Sequence, residues 1–287
     1  MHRGFSHTRF RAYLAGYALL LLVCLWQFIA AGDFSLGRRP WENLKKTAAE
    51  LSRPSFFDIW YGNEKLEFKS DDGRLLRVQN QRGTEARFLQ GLANATWTTF
   101  KIATLGSILA AALALPFGIA SAHNMHLPKW LTLPARAMLD IARSIHTLVF
   151  GLVIVGIIGL GPMAGVLAIA AHSFGSYGKL YAETIESIDR RYFESGLALG
   201  LSPLQILVFC LRRTMLPQWL SVHLYVWEFN LRDSTVLGLI GAGGLGLLVS
   251  EAVSLFQWGR LATILIVIVV LVAAFDAVSR KIRHDVL

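Results

Sequence analysis

The sequence predicts an all-α integral membrane protein with about six transmembrane helices. Three observations carry that expectation. Apolar runs recur along the 287 residues, and about 20 such residues suffice to cross a ~30 Å hydrocarbon core. Charged residues make up only 16% of the chain against 54% hydrophobic, where soluble domains carry about 25% charged, and the deficit is concentrated in those runs. The Lys and Arg residues collect in alternate connections, as the cytoplasmic loops of membrane proteins do.

The candidate spans are 13–31, 94–121, 135–159, 162–181, 218–237 and 261–278. With both termini cytoplasmic, the inner segments hold Arg3, Arg9, Arg11, Lys129, Arg190, Arg191, Arg212, Arg213, Arg280, Lys281 and Arg283. The short outer connections near 160–161 and 250–257 hold no Lys or Arg. The net charge of +9 therefore reads as membrane topology and not as nucleic-acid binding. The segment 32–93 lies outside, where a loop of about 60 residues escapes the charge rule.

The first run follows a basic stretch and is longer than a signal-peptide core, so it reads as an uncleaved span. Residues 41–60 read as an interfacial helix with Leu44, Ala48 and Leu51 on one side. Ser70-Asp71-Asp72-Gly73 between two short alternating segments predicts a β-hairpin. That hairpin is either a solvated loop or a contact surface for an extracytoplasmic partner. The chain thus divides into 1–93, a first helix with a periplasmic segment, and 94–287, the transmembrane core, with a coupling segment at 189–217.

In the second span, Pro116 predicts a kink and Lys101 reaches toward the headgroups. In the third, Asp140 and Arg143 stand three apart on one face and neutralise each other. The fourth is rich in Gly, Ala and Ser, which let helices approach closely in lipid, so it belongs inside the bundle. The sixth is uniformly apolar and faces lipid. Cys24 and Cys210 are too far apart in sequence to suggest a disulfide framework or a metal motif.

A polar helix-turn-helix interrupts this pattern. Asp189 caps a helix, Gly200 suits its left-handed end, and Ser202-Pro203 with Gln205 makes a capping box for the next helix. The first helix presents Tyr192, Phe193 and Leu197 as anchors for a partner's groove. Further on comes Asn230-Leu231-Arg232-Asp233-Ser234-Thr235. An Arg at mid-membrane costs about 2.5–3.5 kcal/mol on insertion scales. Two readings are open: Arg232 is free to attract an oxyanion, with Asn230, Asp233, Ser234 and Thr235 forming a polar lane, or Arg232 and Asp233 pair with other helices. Gly241, Gly243, Gly244 and Gly246 match a dinucleotide fingerprint only formally, because no βαβ unit surrounds them. They read as a helix break lining a cavity.

Glu194-Ser195-Gly196, then Gly200, then Leu216-Pro217 resembles the EAA loop of ABC importer permeases. The usual alanines are replaced by Ser195 and Gly196, both small, and Arg212-Arg213 stands where Leu-Pro is usual. The run from Asn230 to Gly246 is similar to the phosphonate-type branch of those permeases, and Tyr181-Ala182-Glu183 leading to Asp189 fits the same branch. The resemblance covers about 94–287, with 60–87 departing as an insertion. It implies a MetI-like architecture with a cytoplasmic coupling-helix loop and a small periplasmic insert, in the bacterial inner membrane. Tyr192, Phe193, Glu194, Gly196, Leu197 and Gly200 would then couple to an ATPase. The implied partners are a second permease copy in a homodimer, two cytoplasmic ABC ATPase subunits, a periplasmic phosphonate- or phosphite-binding protein and membrane lipid. No cofactor is expected in this chain, since ATP and Mg would be bound by the ATPase; no Walker A sequence occurs. The implied function is import of phosphonate, phosphite or hypophosphite. A permease for another small solute such as an amino acid shares the fold. A membrane enzyme acting on lipid phosphates would need clustered groups, whereas His146, His172 and His223 are scattered in sequence.

Overall fold

The computed structural model describes residues 7–32, 39–62, 66–69, 75–125, 127–210 and 215–286. They fall into two compact units, Met1–Ala49 and Glu50–Leu287. The first unit holds α1 (His7–Ala30) and most of α2 (Pro40–Leu51). The stretch Tyr13–Ala30 of α1 is apolar and long enough to cross a membrane. Arg39 pairs with Glu42 at 3.3 Å in the first turn of α2, where a carboxylate also suits the helix dipole.

The interfacial helix expected over 41–60 is shorter than the sequence suggests. It ends at Leu51, and Pro54 precedes a tight turn over Ser55–Phe57 and a short helix, α3 (Asp58–Tyr61). Proline has no amide hydrogen to continue the ladder. The hairpin is present: β1 (Leu66–Lys69) and β2 (Leu75–Gln79) pair antiparallel, Leu66 opposite Gln79, with an irregularity between Phe68 and Lys69. Its turn, Ser70–Gly73, lies outside the described residues.

The second span begins well before residue 94. α4 runs unbroken from Gln81 to Ser121, and Asn80 caps it by accepting the Gly83 amide at 2.9 Å. The domain boundary read at 93/94 thus falls inside one helix. The start of α4 and the segments beside it are held by contacts across the chain. Arg82 donates to the Gly62 carbonyl at 2.9 Å, Arg260 pairs with Glu85 at 2.6 Å, and the Ser55 and Thr263 hydroxyls bond at 3.2 Å.

The third span is not straight. It consists of α5 (Lys129–Ser144) and α6 (Thr147–Ile158), bent by 91°. Ile145 and His146 are extended between them, and the His146 ring accepts the Leu148 amide at 3.2 Å to start α6. The pair expected on α5 forms, Arg143 Nε donating to Asp140 at 2.9 Å.

α7 (Pro162–Glu186) is the central helix and buries most of its residues against α4, α5, α6 and α10 (Leu216–Leu237). Small residues make this possible. A Cβ added at Gly175 would stand 2.5 Å from the Arg143 nitrogen and the Leu139 oxygen, and one at Gly178 would stand 2.3 Å from the Leu139 side chain. A Cβ at Gly106 or Gly118 of α4 would stand 2.7 or 2.9 Å from Ile169 or Tyr181 of α7. Polar bonds then lock the helices. Asn230 donates to Ser107 of α4 at 2.8 Å and accepts from Ser173 of α7 at 2.7 Å. Trp227 donates to Thr104 at 3.1 Å.

After α7 come α8 (Arg190–Ala198) and α9 (Pro203–Cys210), and after α10 come α11 (Leu245–Ser254) and α12 (Trp258–Val286). The last helix is not wholly turned to lipid. Leu261, Ala262 and Ile264 are buried, while Leu265, Ile266, Val269 and Val270 are exposed. Among the described residues, three helices are long and apolar enough to cross a membrane, or five if each bent pair counts as one. α7 is also long enough; it carries His172, Lys179 and Glu183, polar groups that protein neighbours accommodate better than lipid would.

Candidate functional site

The helical hairpin α8–α9 is built by its caps. The Asp189 carboxylate accepts the Arg191 amide at 3.0 Å. At the other end Gly200 takes φ +79, its amide donates to Leu197 O at 2.9 Å and the Leu201 amide donates to Gly196 O at 3.0 Å. That is a Schellman ending, in which only glycine pays no steric penalty at the left-handed position. Ser202 and Gln205 close the capping box reciprocally at 2.8 and 3.3 Å. Gly196 lets the helices touch: a Cβ there would stand 2.6 Å from Ile206. Glu194 and Leu197 lie on the exposed side of α8. Tyr192 and Phe193 are on the same helix, but their side chains lie outside the described set, as do Arg212 and Arg213 altogether.

The hairpin is fastened to the bundle. Ile206 and Met215 join a buried cluster with Ile185, Ile188, Ala122 and Met125. Beside it, the Glu186 carboxylate at the end of α7 accepts the His123 amide at 2.8 Å and bonds its ring Nδ1 at 2.6 Å. Arg136 of α5 bonds His123 Nε2 at 2.8 Å and donates to Ser121 O. A guanidinium can only donate, so Nε2 is the acceptor and Nδ1 carries the proton given to Glu186. Burial alone would raise the Glu186 carboxyl, but the His123 amide and ring, with Arg136, outweigh it and hold it below its ordinary value.

The α10 residues divide between two faces. Asn230 and Ser234 are fully buried; the first bridges α4 and α7, and the second donates to Leu231 O at 2.7 Å. Asn230 stitches the bundle and Ser234 bonds within its own helix, so the residues expected to form one polar lane do not share a single face. The reason is angular: on a helix, residues four apart share a face and residues two apart do not. Asp233 accepts from Thr147 at the start of α6. Arg232 and Thr235 are on the other side, with Thr235 donating to Arg232 O at 2.7 Å. Arg232 is not an isolated charge. It pairs with Glu228 one turn earlier, and Arg283 of α12 lies 3.9 Å from the same carboxylate. Two guanidiniums thus share one carboxylate, and the group keeps a formal charge of +1.

The glycine run breaks the helix. A tight turn over Gly238–Ile240 is followed by Gly241, Gly243 and Gly244 at φ +95, +86 and +70, and α11 departs at 45°. A Cβ at Gly246 would stand 2.0 Å from Thr235 O, and one at Gly244 would stand 2.4 Å from the Thr99 hydroxyl. Thr99 Oγ1 accepts the Leu245 amide at 2.8 Å, which satisfies the start of α11.

A cleft of about 440 Å³ opens between α5, α7 and α10. Arg143, His172, Ser176, Lys179, Glu183 and Phe229 are among its walls. The sequence reading passed over these residues as a group. The signal was the spacing of His172, Ser176, Lys179 and Glu183, which recur at four, three and four residues and so stripe one face of α7.

Residues 114–286 match the family of binding-protein-dependent transport system inner membrane components. The phosphite transport system permease protein PtxC of Stutzerimonas stutzeri is 35% identical over 185 residues, covering 64% of this chain and 67% of that one. The phosphate-import permease protein PhnE of Mycolicibacterium smegmatis is 34% identical over 192 residues, covering 67% of this chain and 36% of that one. Among solved structures, an inward-facing MetNI methionine ABC transporter chain superposes with a TM-score of 0.64 at 19% identity, covering 70% of this chain and 98% of that one. The capped hairpin beside a helical bundle and the match over 114–286 agree, and the chain belongs to the binding-protein-dependent transport family as the permease subunit of an ABC transporter.

Proposed function

We propose that this permease is the membrane-spanning subunit of an ATP-driven importer for small phosphorus oxyanions: phosphonate, phosphite or hypophosphite. Two copies form the pore, each seats an ATPase subunit on α8–α9, and a periplasmic binding protein delivers the anion. The α8–α9 end faces the cytoplasm and the hairpin end the periplasm, which puts both termini inside. ATP and Mg belong to the ATPase, and this chain does the moving.

The observation that carries the coupling reading is the fastening of α8–α9 to α7. Ile206 of α9 packs with Ile185 and Ile188 at and just after the end of α7, and Glu186, held by His123, stands only three residues before the Asp189 cap. A push on the hairpin is therefore delivered to the central helix and not lost in a loose loop. α7 in turn forms one wall of the cleft, so a shift of α7 changes the cleft's width. The preference for an anion is supported by the +1 group of Arg232, Glu228 and Arg283, and by the names borne by the phosphite and phosphate relatives.

The test is uptake of labelled phosphite or methylphosphonate into proteoliposomes holding the permease, its ATPase and its binding protein. ATP-dependent accumulation is expected, abolished by leaving out the ATPase. Accumulation without any ATPase would defeat the coupling reading, and ATP-driven uptake of amino acids but no phosphorus anion would defeat the cargo.

A further inference from the structure

We infer that the cleft between α5, α7 and α10 is a transit site for a tetrahedral phosphorus oxyanion that keeps one P–OH, as the monoanions of phosphite and phosphonate do and hypophosphite does not, with Lys179 and Arg143 donating to its oxygens and His172 Nε2 accepting the P–OH hydrogen bond. The inference rests on the oxyanion reading above and names the residues by which this chain would itself select cargo.

The donors come first. Arg143 reaches the cleft because Gly175 allows the backbone of α5 to lie against α7; with a side chain at 175 the Arg143 amide would be displaced. Arg143 keeps Asp140 as partner through Nε at 2.9 Å, which leaves its terminal nitrogens available and fixes the plane of the fork. Lys179 lines the same cleft and forms no ion pair among the described residues. Side chains on a helix lean toward its N-terminus, so Lys179 leans back toward Ser176 and His172.

The acceptor follows from a tautomer. His172 Nδ1 lies 2.8 Å from the Ile145 carbonyl oxygen, in the bend between α5 and α6. A carbonyl can only accept, so Nδ1 must hold the ring hydrogen. In the neutral ring Nε2 then has a lone pair and no proton. It can take a hydrogen bond from a P–OH group, whereas sulfate, fully ionised at neutral pH, has no hydrogen to offer. A site built to receive a hydrogen bond discriminates strongly against a ligand that cannot supply it, because the acceptor is left unpaired.

The electrostatics suit passage and not retention. Glu183 lines the same cleft and Asp140 already engages Arg143, so the two cations are offset nearby. A transport site must bind weakly enough to release. The volume of about 440 Å³ admits a small oxyanion with waters.

The experiment uses the full-length chain in lipid nanodiscs, with 31P line broadening of phosphite as the binding signal, sulfate as competitor, and uptake by the reconstituted transporter in parallel. Lys179→Met is expected to weaken phosphite binding about tenfold, the scale of one charge-assisted hydrogen bond, and Lys179→Arg to restore it. His172→Phe is expected to let sulfate compete where it did not before, while the melting temperature checks that the fold survives. If wild type imports phosphite but Lys179→Met and His172→Phe bind and discriminate as wild type does, the cleft assignment is overturned and the importer reading stands. If wild type imports no phosphorus anion at all, the importer reading fails first. Loss of phosphite binding in Lys179→Arg as well as Lys179→Met would also overturn the assignment, because charge would then not be what Lys179 supplies.

Discussion

Glu186 takes two hydrogen bonds from one residue, His123: the backbone amide at 2.8 Å and the ring Nδ1 at 2.6 Å. The two bonds pin the last residue of α7 to the turn that follows α4. Because the carboxyl is held below its ordinary value of 4.5, its contribution to stability has a definite sign. A group whose folded-state pKa is depressed stabilises the fold fully above the unfolded value and loses that effect as pH falls through the folded one. Glu186→Gln should therefore lower stability at neutral pH, by no more than about 1 kcal/mol because the carboxylate is partly exposed and screened. The gap from wild type should close in acid, below the ordinary value. Thermal melts of both proteins in detergent across that range check this; a gap that widened in acid would contradict it.

Gly175 is a packing position. Gly175→Ala places a methyl 2.5 Å from two backbone atoms of α5, neither of which is the tip of a flexible side chain. Overpacking of this kind costs about 1–3 kcal/mol. Gly156→Ala in α6 meets nothing within 4 Å and should be neutral or stabilising, by up to about 1 kcal/mol from helix propensity. Comparing the two melts separates packing from propensity.

Asn230 joins three helices through two side-chain bonds. Asn230→Ala should leave Ser107 and Ser173 without those partners and cost roughly 0.6–2 kcal/mol, the range for interhelical hydrogen bonds in membranes. Asn230→Asp should be worse, since it buries a charge at a fully enclosed position. Uptake by the surviving fraction should be nearly normal, which distinguishes a stitch from a contact with cargo.

Arg232 is expected to behave in the opposite way. Arg232→Gln removes the excess positive charge of its group while Glu228 keeps Arg283, so the melt should change little. Uptake at low substrate should fall by about tenfold, with partial recovery in Arg232→Lys. A melt lowered as far as that of Asn230→Ala, with uptake per folded molecule unchanged, would move Arg232 to a structural role.

Much of the α8–α9 hairpin could be read from the chain alone, because caps are local. Asp189, Gly200, Ser202 and Gln205 act within a few residues of themselves, and each forms the bond its position implies. The central place of α7 was legible in its small residues, and the Asp140–Arg143 pair in its spacing. The bend after Ser144 was not, since neither Gly nor Pro marks it; the carbonyl it frees at Ile145 is satisfied by His172, 27 residues away. Nor could the direction in which Asn230 points be settled, because a helix face is named only by its neighbours. The partner of Arg232 was within reach: Glu228 stands at the favourable i, i+4 position on the same helix, where the sequence suggested either a free charge or partners on other helices.

The length of α4 has a consequence for its first turns. Its 41 residues make a rod of roughly 60 Å, about twice the hydrocarbon thickness. Its opening stretch, 81–93, spends that extra length on neighbours: Phe88, Leu89 and Leu92 pack with residues of α11 and α12, and Glu85 holds Arg260. Deleting a single residue there would turn the stretch by about 100° and swing these groups away from their partners.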